Sequence, residues 1–470
     1  MESVIIIVFV MGYLAITLEH NLKLDKLIPA LIMMAVCWAL VALGVDNFTN
    51  WFDSANHSLV DGFASMVHAD KLHLVEETLL HHLGKTAEIL VFLLGAMTIV
   101  EIIDYFDGFS TIKGYVNFKG KKKLLWMFSV LAFILSAIID NLTATIVLIS
   151  ILQKIVKNRD ERIWFAGLII IAANAGGAWS PIGDVTTTML WIGKKVTTLK
   201  LIEYLLLPSL LCMVVPTFIA SFLPAFKGEI DFDDEEKEKA KSPHSARMLY
   251  LGLGAILFVP VFKTVTHLPP YVGMMLSLAV VATFAEIYTN SKFSISSIDA
   301  EDAEGHAAGA QHSPVHASLS KIEMPSILFF LGILMAVAAL ESLGILFNFA
   351  STLQDSIPMM GTEMHVAGVT GVSDLVVMLL GVGSAIIDNV PLVAASLGMF
   401  SEPLDNELWH FIAFSAGTGG SMLIIGSAAG VVAMGMEKID FFWYLKKISW
   451  LALIGFVVGS ATFMVTRTLF

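Results

Sequence analysis

The sequence SAIIDN occurs twice in this chain, at Ser136–Asn141 and again at Ser384–Asn389. The first copy lies inside the apolar stretch VLAFILSAIIDNLTATIVLISIL and the second inside VVMLLGVGSAIIDNVPLVAASLGMF. An aspartate at the centre of a bilayer costs about 2.5–3.5 kcal/mol on insertion scales, so packing alone does not explain two of them. The repeated motif therefore indicates that each copy places functional polar residues inside the membrane.

The composition supports a membrane location. Of the 470 residues, 56% are hydrophobic and 15% are charged, and the mean hydropathy is +0.79. Because soluble domains carry about 25% charged residues, this composition indicates an integral membrane protein. The net charge of −13 comes largely from the loops GEIDFDDEEKEKAK and SIDAEDAEGHAAGAQ, and nothing suggests a nucleic-acid partner. Cys37 and Cys212 fall in apolar runs, which indicates neither a disulfide framework nor a thiolate metal site.

Apolar runs predict the membrane crossings, each of which needs roughly 20 residues. The first run has no basic region or cleavage site typical of a signal peptide, so it is interpreted as a retained span. The candidate crossings are Ser3–Leu18, Ile28–Val45, Ala87–Phe106, Trp164–Ile192, Ile202–Phe222, Met248–Val265, Tyr271–Tyr288, Pro325–Phe347, Leu408–Met436 and Phe442–Val465.

Basic residues predict which ends of these spans face the cytoplasm. One topology, with both termini outside or in the outer leaflet, accommodates most of the basic clusters. These are Lys23 with Lys26, Lys113–Lys123, Lys154–Arg162, Lys227–Arg247 and Lys438. Lys194, Lys195 and Lys200 fall on the predicted outer side and conflict with this topology.

The two SAIIDN segments do not fit as complete crossings. Two spans need about 40 residues, but only about 30 lie between the cytoplasmic clusters ending at Lys123 and beginning at Lys154. The segment is therefore predicted to enter the membrane and turn back at Asp140. The second copy is flanked by segments without Lys or Arg, which predicts a hairpin that enters from outside and opens there at Asp388.

The two halves of the chain match beyond these hairpins. EILVFLLGAMTIVE resembles PSILFFLGILMAVAALE, and the glycines of NAGGAWSPIGD align with those of GTGGSMLIIGS. Inverted repeats with broken helices near the midplane are typical of transporters. The predicted organisation is a first repeat at 1–225 (hairpin 124–153, broken helix 164–192), an acidic cytoplasmic linker at 226–247, and a second repeat at 248–470 (hairpin 372–400, broken helix 408–436).

The candidate site residues are the polar groups at the hairpin tips and helix breaks. Their carboxylate, amide and hydroxyl oxygens suit a small alkali cation and repel an anion. The acids are Asp140, Asp184 and Asp388. The neutral ligands are Asn141, Asn174, Asn389, Ser136, Ser384, Thr143, Thr186, Ser421 and Ser427. The alternative is that the acids only cap helix N-termini and that the neutral groups satisfy backbone at the breaks.

Na⁺ and protons would compete for these carboxylates, and such competition is the minimum requirement for exchanging one for the other. Asp184 in the first half aligns with Ser427 in the second, so the extra ionisable group belongs to the first half. We therefore predict that Asp184, next to Asp140, makes the first half the main proton-carrying side. Glu101 and Glu341 lie nearer to span ends and remain open as functional or structural. The histidines His81, His82 and His306–His316 could sense pH but are interpreted as solvated loop residues.

Four motifs carry a resemblance to a known family over nearly the whole chain. LGAMTIVE, SAIIDNLTATIV, ANAGGAWSPIGDVTTTMLW and SAIIDNVPLVAA, in this order, resemble the NhaD-type sodium/proton antiporters of the ion transporter superfamily. The resemblance implies a homodimer with a scaffold formed by the early spans and an elevator-like transport unit.

A more distant resemblance, to sodium-coupled dicarboxylate transporters, implies where sodium would bind. It implies one site with Ser136 and Asn141 and another with Ser384 and Asn389. Asp140 and Asp388 stand where that family has serine, which argues against a carboxylate substrate. Asp388 is also predicted as a sodium ligand, because it supplies a fixed charge in the second hairpin tip.

The sequence thus predicts an all-α membrane protein with about ten transmembrane helices and two re-entrant hairpins in an inverted repeat. Its predicted function is proton-coupled antiport of Na⁺ and Li⁺ across a bacterial inner membrane, without enzymatic activity or a cofactor. Two alternatives remain open: an anion or carboxylate carrier or efflux pump of the same superfamily, and a membrane scaffold that transports nothing.

Overall fold

The computed structural model describes residues 1–17, 22–53, 58–113, 119–230, 244–293, 313–346, 373–386, 388–400 and 402–469. Residues 231–243 of the acidic linker, His306, His312 and the loop before the second hairpin lie outside these residues. The first part of the chain forms α1 (Glu2–Thr17), α2 (Leu27–Leu43), α3 (His68–Tyr105), α4 (Ser110–Lys113), α5 (Lys121–Ile139), α6 (Asn141–Ile155), α7 (Arg159–Ala178), α8 (Val185–Ile192) and α9 (Thr198–Ala220).

The second part repeats this alternation of long and interrupted helices. It forms α10 (Ser245–Thr266), α11 (Pro270–Phe293), α12 (Pro314–Leu319), α13 (Met324–Ser342), α14 (Asp374–Ser384), α15 (Asn389–Met399), α16 (Glu407–Gly419), α17 (Ala428–Glu437), α18 (Phe441–Lys447) and α19 (Ser449–Thr466). Two two-residue strands, Phe52–Asp53 and Ser58–Leu59, pair antiparallel in the described part. They do not alter the fold class, which is all-α.

Seven of the described helices are long and apolar enough to cross a membrane, and the protein is a multi-pass membrane protein. They are α3, α5, α9, α10, α11, α13 and α19. The predicted broken spans are also interrupted in the structure, between α7 and α8 and between α16 and α17.

The sequence prediction was wrong about two helix lengths. The span predicted at Ala87–Phe106 is the C-terminal half of the 38-residue helix α3. At 1.5 Å per residue, α3 is longer than the roughly 30 Å hydrocarbon core, so it extends beyond the bilayer. The first half of α3 is rich in polar residues, so the apolar runs did not predict it as part of the same helix. The last predicted span is divided at Ile448 into α18 and α19.

The helices pack as two groups. One group, here called the scaffold group, contains α1, α2, α3, α10, α11, α12 and α13, which pack mainly on one another. The other, called the transport group, contains α5–α9 and α14–α19. The groups meet where α13 contacts α15, where α3 contacts α8 and where α10 contacts α5. Both hairpins and both broken helices therefore belong to the same packing unit.

The flanks of the first hairpin lie at one end of the molecule, as predicted. Lys121, at the start of α5, places its Nζ 2.8 Å from Oε1 of Glu161, which follows α6. The backbone N–H of Lys121 also donates to the carbonyl of Gly228, 3.1 Å away. Three segments that the sequence marks as cytoplasmic thus meet at this end.

Two of the three lysines that conflicted with the predicted topology, Lys195 and Lys200, have local partners. Lys195 donates to the backbone carbonyl of Glu402 and lies 4.6 Å from the ring centroid of Trp409. Lys200 pairs with Glu203 at 2.9 Å. Because nearby acidic and aromatic groups stabilise these two ammonium groups, they are poor markers of membrane side.

Candidate functional site

The two broken helices restart with the same backbone geometry. Asp184 precedes α8 with φ −149° and ψ 148°, and Ser427 precedes α17 with φ −146° and ψ 152°. Each side chain accepts a hydrogen bond from the new helix, from Thr186 N–H and from Gly430 N–H respectively. Asp184 and Ser427, which the sequence alignment matches, therefore have the same local backbone geometry and the same capping role.

Asp184 is the centre of a buried polar cluster. Its Oδ2 lies 2.6 Å from Nδ2 of Asn141, at the tip of the first hairpin. Asn389, at the tip of the second hairpin, places its Nδ2 3.2 Å from the same oxygen. Thr186 donates both its N–H, at 2.9 Å, and its hydroxyl, at 2.8 Å, to Oδ1. Both hairpin tips and one helix break thus converge on one carboxylate.

Asn174 connects this carboxylate to the second broken helix. Its Oδ1 accepts from Asn141 Nδ2 at 3.0 Å, and its Nδ2 donates to Ser427 Oγ at 3.0 Å. The six side chains of the cluster are buried, with at most 5% exposure. They are Asn141, Asn174, Asp184, Thr186, Asn389 and Ser427. An unpaired polar group would be costly at this depth, and here each one is hydrogen-bonded.

Asp140 lies beside the cluster and caps a helix. Its carboxylate accepts from the N–H and the hydroxyl of Thr143 at 2.8 and 2.9 Å, at the start of α6. Its backbone has a positive φ of 75°. Asp140 and Asp184 line one cavity of about 20 Å³, which has room for about one water molecule. Asp140 therefore does cap its helix, and it also lines a small, mostly apolar cavity together with Asp184.

Three predicted hydroxyl ligands bind backbone carbonyls instead. Ser136 donates to the carbonyl of Ala173 and Ser384 to that of Ala416, each beside a helix break. Ser421 donates to the carbonyl of Thr418. In this conformation these hydroxyls satisfy backbone at the breaks and do not reach Asp184.

Asp388 is placed differently from the other two acids. Its side chain does not cap α15 but lies 3.0 Å from Nζ of Lys26, just before α2. Lys26 lines a cavity with Glu323, and Glu323 lines another with Lys154. In this structure Asp388 therefore pairs with Lys26, a residue that the sequence marks as cytoplasmic. The side of the membrane to which the second hairpin opens stays a prediction.

An acidic vestibule leads towards the cluster. A cavity of about 300 Å³ follows α6 from Thr143 to Lys154. Its charged lining consists of Glu101, Asp104, Asp107, Glu323, Lys154 and Lys321. Met97 lines both this vestibule and the small cavity that Asp140 and Asp184 also line, so the two cavities adjoin at this side chain. Carboxylates along such a cleft raise the local concentration of cations.

The structure places the remaining candidate residues as follows. Glu101 lines the vestibule, and the carboxylate of Glu341 packs against Gly398 of α15. His81 and His82 were expected in a loop but lie inside α3, and His82 is buried. Lys26 and Met97 were missed as site residues. Lys26 served only as a marker of membrane side, and Met97 gave no signal in an apolar helix.

The contacts of Ser427 lead to a testable difference between two serines. Replacing Ser427 by alanine removes the hydroxyl that holds Asn174, and a hydrogen bond is worth about 1 kcal/mol. We expect the apparent cation affinity to fall by about fivefold, the factor that such an energy gives. Ser421→Ala is the matched control, since its hydroxyl binds only Thr418. Equal affinities in the two variants would contradict the role of Ser427.

Comparisons with known proteins agree with this architecture. The family model described as citrate transporter matches residues 6–409. Sodium/proton antiporter 1 of Arabidopsis thaliana is 40% identical over 98% of this chain and 72% of its own length. Sodium/proton antiporter 2 of the same plant is 37% identical over 97% of this chain and 98% of its own. The Na⁺/H⁺ antiporter NhaD of Vibrio parahaemolyticus is 33% identical over 78% and 87% of the two chains.

A solved structure also matches. The crystal structure of the Alcanivorax borkumensis YdaH transporter aligns over 95% of this chain and 98% of its own, with a TM-score of 0.57 and 12% identity. At this identity the likeness shows the fold, that of a helical membrane transporter. Taken with the sequence relatives, it leads to one assignment: the chain belongs to the citrate transporter family and, among the relatives that match it, to the NhaD-type sodium/proton antiporters.

Proposed function

We propose that this protein exchanges Na⁺ or Li⁺ for protons across a membrane and that Asp184 is the shared binding carboxylate. The observation that carries the proposal is the convergence of Asn141, Asn389 and Thr186 on this one buried acid. Asp184 accepts hydrogen bonds from both hairpin tips and from a broken helix. An ion or proton that binds to this carboxylate would therefore change the contacts of all three elements.

The cluster has the chemistry of an alkali-cation site. In the present arrangement the carboxylate is surrounded by N–H and O–H donors, which stabilise its charge without a cation. A half-turn of the Asn141 or Asn389 amide exchanges its N–H₂ for its carbonyl oxygen. The same side chains then offer hard oxygen ligands, which alkali and alkaline-earth cations prefer.

Exchange with protons follows from competition for one carboxylate. A proton on Asp184 removes the charge that a cation needs, and a bound cation repels a proton by Coulomb interaction, which is strong in a buried site. If the transport group moves only when Asp184 carries one of the two, outward movement of Na⁺ is coupled to inward movement of protons. Li⁺, with the same charge and smaller size, fits the same ligands.

A carboxylate substrate is the second candidate, because the matching family model is described as a citrate transporter. Against it, the six side chains of the cluster are neutral or acidic. A polyanion would be repelled by Asp184, and Asp140 lines a cavity with it. The relatives with higher identity are named as sodium/proton antiporters. Antiport is therefore the function that the site supports best.

We also propose the predicted inverted repeat for the two halves. Two kinds of contact occur in both halves and support it. In each half, a serine on the first arm of the hairpin donates a hydrogen bond to a backbone carbonyl of the broken helix. In each half, a glycine of the broken helix also packs against a backbone carbonyl of the hairpin. The pairs are Ser136–Ala173 with Ser384–Ala416, and Gly176–Phe133 with Gly419–Gly381.

The remaining proposals concern the setting of the protein. We propose a homodimer with the scaffold group at its centre, a bacterial inner membrane, no catalytic reaction and no resident cofactor. NhaD proteins of Vibrio and Halomonas among the relatives support the bacterial location.

The experiment is ion-driven proton movement in proteoliposomes that contain the purified protein and a pH-sensitive dye. We expect Na⁺ and Li⁺ to collapse an imposed proton gradient, whereas K⁺ and citrate leave it unchanged. Empty liposomes are the control. Dissipation by citrate but not by Na⁺ would replace the proposal with the carboxylate carrier, and dissipation by neither would reject both.

A further inference from the structure

One ion pair joins the scaffold group to the transport group beside the cluster. Lys26, before α2, belongs to the scaffold group, and Asp388, before α15, to the transport group. Nζ of Lys26 lies 3.0 Å from Oδ2 of Asp388, and the side chains are 23% and 13% exposed. The residues are 362 positions apart in sequence, so only the packing of the two groups creates this contact.

The ammonium group is held from a second side. Nζ of Lys26 lies 4.5 Å from the ring centroid of Phe329, on the scaffold helix α13. An aromatic face attracts a cation through the ring quadrupole, and the attraction is stronger where water is excluded. Lys26 therefore remains with the scaffold, while Asp388 is free of the capping role that Asp140 and Asp184 have.

The ion pair lies next to the cluster along the chain. Asn389, the residue after Asp388, donates to Asp184 at 3.2 Å. A cation that binds between Asp184 and Asp388 brings a second positive charge close to the Lys26 ammonium group. Like charges a few ångströms apart repel each other, so the cation and the ammonium group cannot both be held tightly beside Asp388.

We propose that Lys26 is a positioning residue that competes with the transported cation for Asp388 and latches the transport group to the scaffold. When Na⁺ arrives, it displaces the ammonium, breaks the contact between the groups and leaves the loaded transport group able to move. The inference rests on the proposed antiport and adds the device that links loading to movement. Linkage is reciprocal, so the latch also weakens Na⁺ binding in the latched state.

The test compares three variants in proteoliposomes and in detergent. Lys26→Met removes the competing charge, and we expect the KM for Na⁺ to fall by at least about fivefold, the lower end of typical coupling factors. The Na⁺ concentration that half-maximally raises the melting temperature should fall by the same factor. Lys26→Arg keeps a charge that can pair with Asp388, and both quantities should stay close to wild type.

Lys263→Met is the matched control. Lys263 also joins the groups, from α10 to α8, but it donates to the backbone carbonyl of Trp191 at 2.9 Å and lies over its ring. Its loss should leave the KM for Na⁺ unchanged. If Lys26→Met does not yield folded protein, Lys26→Gln removes the charge with less change in polarity.

Two outcomes would overturn the inference. One is an unchanged or higher KM in a folded Lys26→Met or Lys26→Gln variant, since a purely structural lysine affects yield and stability alone. The other is an equal fall in KM in Lys263→Met, which would attribute the effect to loosened packing between the groups. Failure of the wild-type protein to exchange Na⁺ for protons is a separate result and would reject the proposed function itself.

Discussion

Replacing Asp184 by asparagine is expected to abolish Na⁺- and Li⁺-driven proton movement, down to the level of empty liposomes. Asparagine is isosteric with aspartate and caps helices about as well, so α8 should still begin at Val185 with Thr186 N–H satisfied. What disappears is the one charge on which both hairpin tips converge. The measurement is dye dequenching across a series of pH values, together with yield and melting temperature.

The matched control is Asp440→Asn. Asp440 also caps a helix, α18, by accepting from Trp443 N–H, but it is exposed and is not one of the six residues of the cluster. The same chemical change there should leave exchange intact. If Asp184 only capped its helix, the variant would lose protein or stability while the surviving fraction kept the wild-type pH dependence. That result would remove Asp184 from the proton pathway.

The pH profile distinguishes the site carboxylate from a residue that only supports it. The asparagine variant has no carboxylate at position 184. Any exchange that it retains should therefore lack the part of the wild-type pH dependence that arises from protonation of Asp184. Ser427→Ala keeps Asp184, and its pH dependence should resemble wild type while its affinity falls. The two variants therefore separate the loss of charge from the loss of a neutral ligand.

Part of the site followed from the sequence because charge and amide groups are costly inside a bilayer. Asp184, Asn141 and Asn389 stand out in apolar stretches, and the structure brings all three together. The glycines of NAGGAWSPIGD and GTGGSMLIIGS indicated where the two long helices are broken. The repeat also suggested that Ser427 is the counterpart of Asp184, and the matching backbone angles agree with this.

Other parts depended on contacts that a single sequence does not contain. Asp388 has the same local sequence as Asp140, yet one pairs with Lys26 and the other caps its own helix. The difference arises because only Asp388 faces a lysine of the scaffold group. Likewise, the first half of α3 is too polar to predict as part of a long apolar helix.

The second large effect is expected at the glycines that allow the hairpins to touch the broken helices. A Cβ atom at Gly176 would overlap the backbone carbonyl of Phe133 in α5. Since a backbone segment has less freedom to move aside than a flexible side chain, Gly176→Ala should separate the hairpin from the broken helix. Overpacking of this kind costs about 1–3 kcal/mol, and more where the neighbours are rigid. We expect a lower melting temperature in detergent and loss of exchange, because Asn141 is then drawn away from Asp184.

Gly84→Ala provides the control, since Gly84 is an exposed position of α3 with no atom within 4 Å of an added Cβ. Alanine there should be neutral or stabilising by about 1 kcal/mol, the usual gain over glycine in a helix. Gly419, which meets the carbonyl of Gly381, should behave like Gly176 if the two halves use the same packing. A Gly176→Ala protein with normal stability and normal exchange would show that the close approach is dispensable. Loss of exchange at Gly176 with none at Gly419 would mean that only the first hairpin must stay close to its broken helix, which is the half that contributes Asp184.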